Sequence, residues 1–363
     1  MQTIVELTEA LIRFQTVHTN LAQIQQCADF IENYLQQADI NYRRVQHGDY
    51  PYLLAMPAEN KAPVLLMSHI DVVAGDPALF DPRVENGRLY GRGSIDDKYA
   101  VALSLVMLKA FVEDLRSRGH GQADLPFGVL ITADEEIGGR LGASEALKQL
   151  RTDFCIVLDG GNPQKIVTRE KGILHLRLIA KGKTAHGARP WLGENAIEKL
   201  IQDYLKIKPY FDVTAPDHWH RSLNFSRIQA GQSPNQVPDR AEAFFDIRYT
   251  ENDDVDSLVA QMQQAIDGEL IVVNKDPLFI GGPSPYLDLL LEVCPEACFR
   301  SEHGASDARF LSDHGIAGIV WGAEGEMSHH TANEYVVIDS LTLLYRQLTR
   351  FMRRVQAKMG SDD

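Results

Sequence analysis

Cysteine is scarce: four in 363 residues, too few for a disulfide scaffold. Cys27 and Cys155 sit in apolar patterns and read as core. Cys294 and Cys298, in "CPEAC", lack the two-residue spacing of a redox or metal pair, and there is no second pair to join them. Positive charge is also short. With 36 Lys and Arg against 50 Asp and Glu, the net charge of −14 argues against nucleic acid and against anionic membranes, both of which attract basic surfaces. No apolar run approaches the roughly 20 residues that span a bilayer. The opening "MQTIVELTEALIRFQTV" is a helical stripe broken by Glu6, Glu9 and Arg13, not a signal-peptide core, so a soluble cytoplasmic protein is expected. Repeats and low-complexity segments are missing too. The glycines of "GRGS" have neither the spacing of a dinucleotide site nor the Lys-Ser/Thr of a phosphate loop.

What is present is an ordinary globular composition, 44% hydrophobic and 24% charged, in a chain long enough for two domains. The first half alternates β-rich and helical runs: strands "YLLAMP", "PVLLMSH", "FGVLITA" and "FCIVLDGG", helices "DKYAVALSLVMLKAFVEDL" and "ASEALKQL". That order predicts an α/β domain with a mostly parallel sheet flanked by helices. After Gly161 the strands "ILHLRLIAKG", "LNFSRIQAG" and "AEAFFDIRYT" alternate apolar and polar, with two helices and "LIVVNK" completing a β-α-β-β-α-β order. This predicts a small antiparallel α+β unit of ferredoxin-like type. From there on, helix, strand and a long helix resume the first pattern. The expected organisation is a discontinuous domain, residues 1–171 and 275–363, interrupted by an insert, residues 172–274; the tail "GSDD" is expected to fray.

In open parallel sheets, ligands lie beyond the carboxyl ends of the strands. Listing the residues there gives His69 and Asp71 after "VLLM", Glu135 and Glu136 after "VLITA", and Asp159 after "CIVL". Asp96 and Asp97 open a helix, and His329 and His330 follow "GIVWGAEGEM". Singly, each has a bland explanation: a loop histidine, a helix cap, an acidic turn before Gly-Gly. Together at one rim, so many acids would repel one another and carry raised pKa values unless divalent metal relieved them. Histidines with carboxylates and no cysteine suit a pair of zinc or similar ions.

The motifs "SHIDVV", "GRGSIDDK", "TADEE" and "HTANEY", in this order, resemble the M20 family of metallopeptidases and deacylases. That family includes acetylornithine deacetylases, succinyl-diaminopimelate desuccinylases, aminoacylases, glutamate carboxypeptidases and dipeptidases. The resemblance implies two divalent ions, zinc first and cobalt or manganese as alternatives. Their ligands would be His69, Asp96, Glu136, Asp159 and His330, with Asp96 bridging. Glu135 corresponds to the general base, and Asp71 to the acceptor that orients His69. Asp97 is expected as a helix cap or loop acid. His329 competes with His330, but the family's histidine stands four residues before a glutamate, and Glu334 selects His330.

The insert's "GKTAHGARPWLGENAI" resembles the family's lid motif, in which His186 serves a neighbouring subunit's active site and stabilises the oxyanion. That implies a homodimer formed through the insert. "SPNQVPDRAEAFFDIR" also resembles a family segment, with Asn235 as a substrate contact and Arg248 as an ion-pair partner. In "HGASDARF", Arg309 is expected either to grip a substrate carboxylate or to form a structural salt bridge. The implied reaction is hydrolysis of an amide or peptide bond beside a free carboxylate in an acyl-amino acid or short peptide. A dedicated desuccinylase or deacetylase is the alternative, and a non-catalytic binding protein on the same scaffold a remoter one.

Overall fold

The computed structural model describes residues 2–360, so the last three residues of the tail lie outside it. The chain divides into two compact units. One comprises residues 1–169, 280–300 and 306–363, the other residues 170–279 and 301–305. The short segment 301–305 joins the second unit from the far end of the sequence.

The first unit is built on a nine-stranded sheet. Its centre is parallel: Lys61–His69 lies between Phe127–Thr132 and Arg151–Val157, and Ala317–Val320 pairs with the far side of Arg151–Val157. Tyr50–Ala55 and Arg43–His47 extend one side antiparallel. Burial explains the sequence pattern. "FGVLIT" is buried at every position, as a strand covered on both faces must be, so it reads as a continuous apolar run rather than an alternation.

The helix Lys98–Ser117 buries Tyr99 through Leu105 without a break and anchors the core. It stops where Gly119 takes φ 81 and His120 N–H donates back to the Leu115 carbonyl at 3.0 Å, a left-handed cap that suits glycine. A helix not anticipated above, Leu21–Gln37, packs Ile24, Cys27, Ala28, Ile31 and Leu35 inward. All four cysteines are free, with Cys27, Cys155 and Cys294 buried and Cys298 half-buried. Among the described residues, no helix is long and apolar enough to cross a membrane.

The second unit has a four-stranded antiparallel sheet in the order Ser222–Ala230, Arg240–Tyr249, Gly172–Lys181, Glu269–Asp276. Helices Ala196–Ile207 and Val255–Ala265 cover one face through Leu200, Ile207, Leu258 and Met262. Strand Arg240–Tyr249 starts at exposed Arg240 and then alternates buried and half-buried residues to its end, the signature of a sheet with one covered face. Asn195 caps the first helix, its side chain accepting from the N–H of Ile197 at 2.9 Å.

Candidate metal centre

The central strands end on the residues expected to matter. His69 is the last residue of Lys61–His69, Glu135 begins a 3-10 turn just past Phe127–Thr132, and Asp159 lies two residues beyond Arg151–Val157. Asp96 precedes the helix Lys98–Ser117, and the Asp96–Asp97 peptide is cis. Two groups of ligand atoms result: His69, Asp96 and Asp159 form one, and Asp96, Glu136 and His330 the other, each group lying within 4.8 Å. Asp96 belongs to both. His69 Nε2 is 3.1 Å from Asp96 Oδ1 and 3.8 Å from Asp159 Oδ2. His330 Nε2 is 3.0 Å from Asp96 Oδ2 and 3.4 Å from Glu136 Oε2.

The donor set fits metal. His69 Nδ1 lies 3.0 Å from the Asp71 carbonyl and 3.3 Å from its carboxylate, which places the ring proton there. Nε2 is thereby left to face the cluster, buried and without an aligned hydrogen-bond partner. A buried imidazole lone pair aimed at two carboxylates is what a cation would complete. Charge tells the same story. Burial, with Asp96 beside it, pushes Asp159 up to about 6, and burial, with Asp159 nearby, lifts Asp97 well above the usual carboxylate range. Burial works against ionised Asp96 too, but the His330 and His69 contacts win and hold it below that range. Contacts with Asp96 and Glu136 lift His330 to about 10. Burial disfavours charge on His69, yet Asp71 and Asp96 raise it well above its ordinary value.

The two adjacent glutamates differ. Glu136 belongs to a ligand group; Glu135 belongs to neither. Glu135 Oε1 instead lies 3.3 Å from Arg309 Nη2, and burial, with Asp307 near, raises its pKa well above the usual value. Asp71 holds both glutamates in place. Its Oδ1 accepts from Glu135 N–H at 3.2 Å and its Oδ2 from Glu136 N–H at 3.0 Å. Asp71 therefore orients more than the imidazole.

Other residues around the cluster make specific contacts. Asp97 occupies the cap position of its helix but makes no capping bond; its Oδ2 accepts from His69 N–H at 3.3 Å. The Arg309 side chain is 4% exposed and also lies 3.5 Å from Asp307 Oδ1, which favours the salt-bridge reading of this residue over the substrate grip. Asp307, not singled out in the sequence, is buried and pushed up to about 7 by that burial, with Arg309 opposing. Gly139 makes room for it: at φ 64, a Cβ there would lie 2.0 Å from Asp307 Oδ1. His329 has a buried Nε2 without a hydrogen-bond partner, yet the ligand group contains His330, whose backbone takes φ 61.

In the second unit His186 is exposed, its Nδ1 accepting from Ala188 N–H at 3.1 Å. A bridge between His186 and Gln236 sets it beside the Asn235 segment, where the Asn235 carbonyl accepts from Gly187 N–H at 2.7 Å. Arg248 donates to Asp246 at 2.9 and 3.2 Å.

The chain is similar to several known proteins. A succinyl-diaminopimelate desuccinylase of Wolbachia pipientis subsp. Culex pipiens is 27% identical over 379 residues, covering 95% of this chain and 92% of the relative. A tripeptidase from Staphylococcus aureus superposes with a TM-score of 0.80 at 20% identity, covering 98% of each chain. An M20 family metallo-carboxypeptidase from Sulfolobus solfataricus gives 0.78 at 18% identity, covering 98% of this chain and 100% of its own. The profile of Peptidase family M20/M25/M40 matches residues 65–354, and the chain belongs to that family of metal-dependent hydrolases of peptide and amide bonds.

Proposed function

We propose that the protein hydrolyses an amide or peptide bond next to a free carboxylate, in an acyl-amino acid or a short peptide, with two divalent ions, zinc first. The observation that carries this is the inequality of Glu135 and Glu136. Glu136 lies with His330 and Asp96 as a ligand, while Glu135 stays outside both groups with only Oε1 engaged by Arg309. Oε2 is therefore available to take a proton from the attacking water and return it to the leaving nitrogen. When bound, the ions supply a water acidic enough to ionise near pH 7 and polarise the scissile carbonyl. A carboxylate committed as a ligand could not shuttle that proton, so the neighbours divide the work.

Arg309 and Asp307 hold the base, and a substrate carboxylate drawn to Arg309 would compete with Glu135 for the same guanidinium. Asn235 is the substrate contact we retain, and His186 the donor to the developing oxyanion. A homodimer through the second unit fits its surface. Ile201 and Leu205 are 47% and 58% exposed one turn apart, and edge strand Ser222–Ala230 offers unpaired backbone. We assign the protein to the cytoplasm. The desuccinylase relative supports the alternative of a dedicated N-succinyl-diaminopimelate or N-acetylornithine hydrolase. One screen separates these readings: zinc-, cobalt- and manganese-loaded protein against both compounds, acyl-amino acids, dipeptides and tripeptides. Turnover confined to one acylated biosynthetic compound selects the alternative; no turnover anywhere would refute the enzyme reading.

A further inference from the structure

Two loops carrying candidate ligands, far apart in sequence, are tied together by one buried ion pair. Arg92 Nη1 contacts Glu334 Oε2, and their side chains are 3% and 1% exposed. Glu334 Oε1 also accepts from the N–H of Gly93 at 2.8 Å and of Ile95 at 3.3 Å, and its carbonyl accepts from Gly91 N–H at 3.1 Å. Arg92 Nη2 donates to the His330 carbonyl at 3.4 Å. The pair thus grips residues 91–95, which lead into Asp96, and residues 330–334, which begin with His330.

His330 needs such a hold. Its φ of 61 is unfavourable for a side chain with a Cβ and persists only where the surroundings fix it. Its imidazole is half-exposed, so packing around the ring does little of that fixing. The other group is held by different means. His69 ends a central strand and is anchored through Asp71 and Asp97. The Asp159 segment is pinned by Leu158, whose N–H donates to Met67 at 2.9 Å and whose carbonyl accepts from the Tyr99 hydroxyl.

We propose that the Arg92–Glu334 pair is a positioning device that presents His330 to Asp96 and Glu136, and so sets the affinity of the Asp96–Glu136–His330 group separately from that of the His69–Asp96–Asp159 group. The inference rests on the two-ion reading above. If the pair served stability alone, its loss would lower the unfolding temperature and weaken both groups alike.

The test is stepwise zinc titration of the metal-stripped full chain by calorimetry, with thermal melts alongside. Arg92→Lys keeps the buried charge but loses the second arm that reaches the His330 carbonyl. One ion is expected to bind about 10–100-fold more weakly while the other keeps its wild-type affinity. Glu334→Gln leaves Arg92 uncompensated and should weaken the same ion further. In a variant carrying both Arg92→Lys and His330→Ala, binding should be no weaker than with His330→Ala alone, because the device acts through that residue. Unchanged affinity for both ions in Arg92→Lys, or equal weakening of both, overturns the proposal. Fewer than two ions bound by the wild type overturns the two-ion reading itself, and this inference with it.

Discussion

Asp71→Asn tests whether one buried carboxylate organises both halves of the centre. The carboxylate accepts from Glu135 N–H at 3.2 Å and Glu136 N–H at 3.0 Å, and its Oδ1 lies 3.3 Å from His69 Nδ1. An amide in its place has one acceptor oxygen, so its NH2 group must face at least one of those donors. Losing one hydrogen bond to a charged acceptor costs about 1.5–3 kcal/mol. For a unit of this size, that lowers the unfolding midpoint by roughly 3–12 °C. Since Asp71 supports a ligand of each group, His69 and Glu136, both ions should bind about 10–100-fold more weakly. The assay pairs zinc titration of the stripped protein with a thermal melt of the same sample. A melt that falls as expected while both zinc affinities stay at wild type would refute the orienting role and leave Asp71 a purely structural residue.

Further outcomes follow from the same geometry. His330→Ala should bind one ion fewer than wild type by elemental analysis, whereas His329→Ala should keep both; the reverse pattern would move the ligand to His329. In the metal-stripped protein, Asp96 and Glu136 raise His330 from 6.5 to about 10, so its charge stabilises the fold fully below pH 6.5 and that contribution is lost as pH rises towards 10. Thermal melts of wild type and His330→Gln should therefore converge across that window. A gap that widens with pH would contradict the assignment.

Much of this centre is legible in the sequence because strand exits are local features. The apolar run "VLITA" followed by Glu135 and Glu136 marks both the strand and its carboxyl end. The alternation in "AEAFFDIRYT" likewise announces a one-face-buried strand before any pairing is known. The helix Leu21–Gln37 carried a readable signal in Ile24, Ala28, Ile31 and Leu35 at helical spacing, diluted by its glutamines. The Arg92–Glu334 pair left no such trace. Its members are 242 positions apart; Glu334 marks His330 in the sequence, but nothing there joins it to Arg92 until the fold buries them together. Arg309 is visible in "HGASDARF", but its partner Glu135 lies 174 positions away, and only the folded chain shows where the guanidinium points.

The division of labour between adjacent glutamates is the central claim, and Glu135→Gln addresses it most directly, with turnover and bound metal measured on one preparation. Turnover is expected to fall by about 10²–10⁴-fold with two ions still bound. Near-wild-type turnover, or loss of an ion, would contradict it.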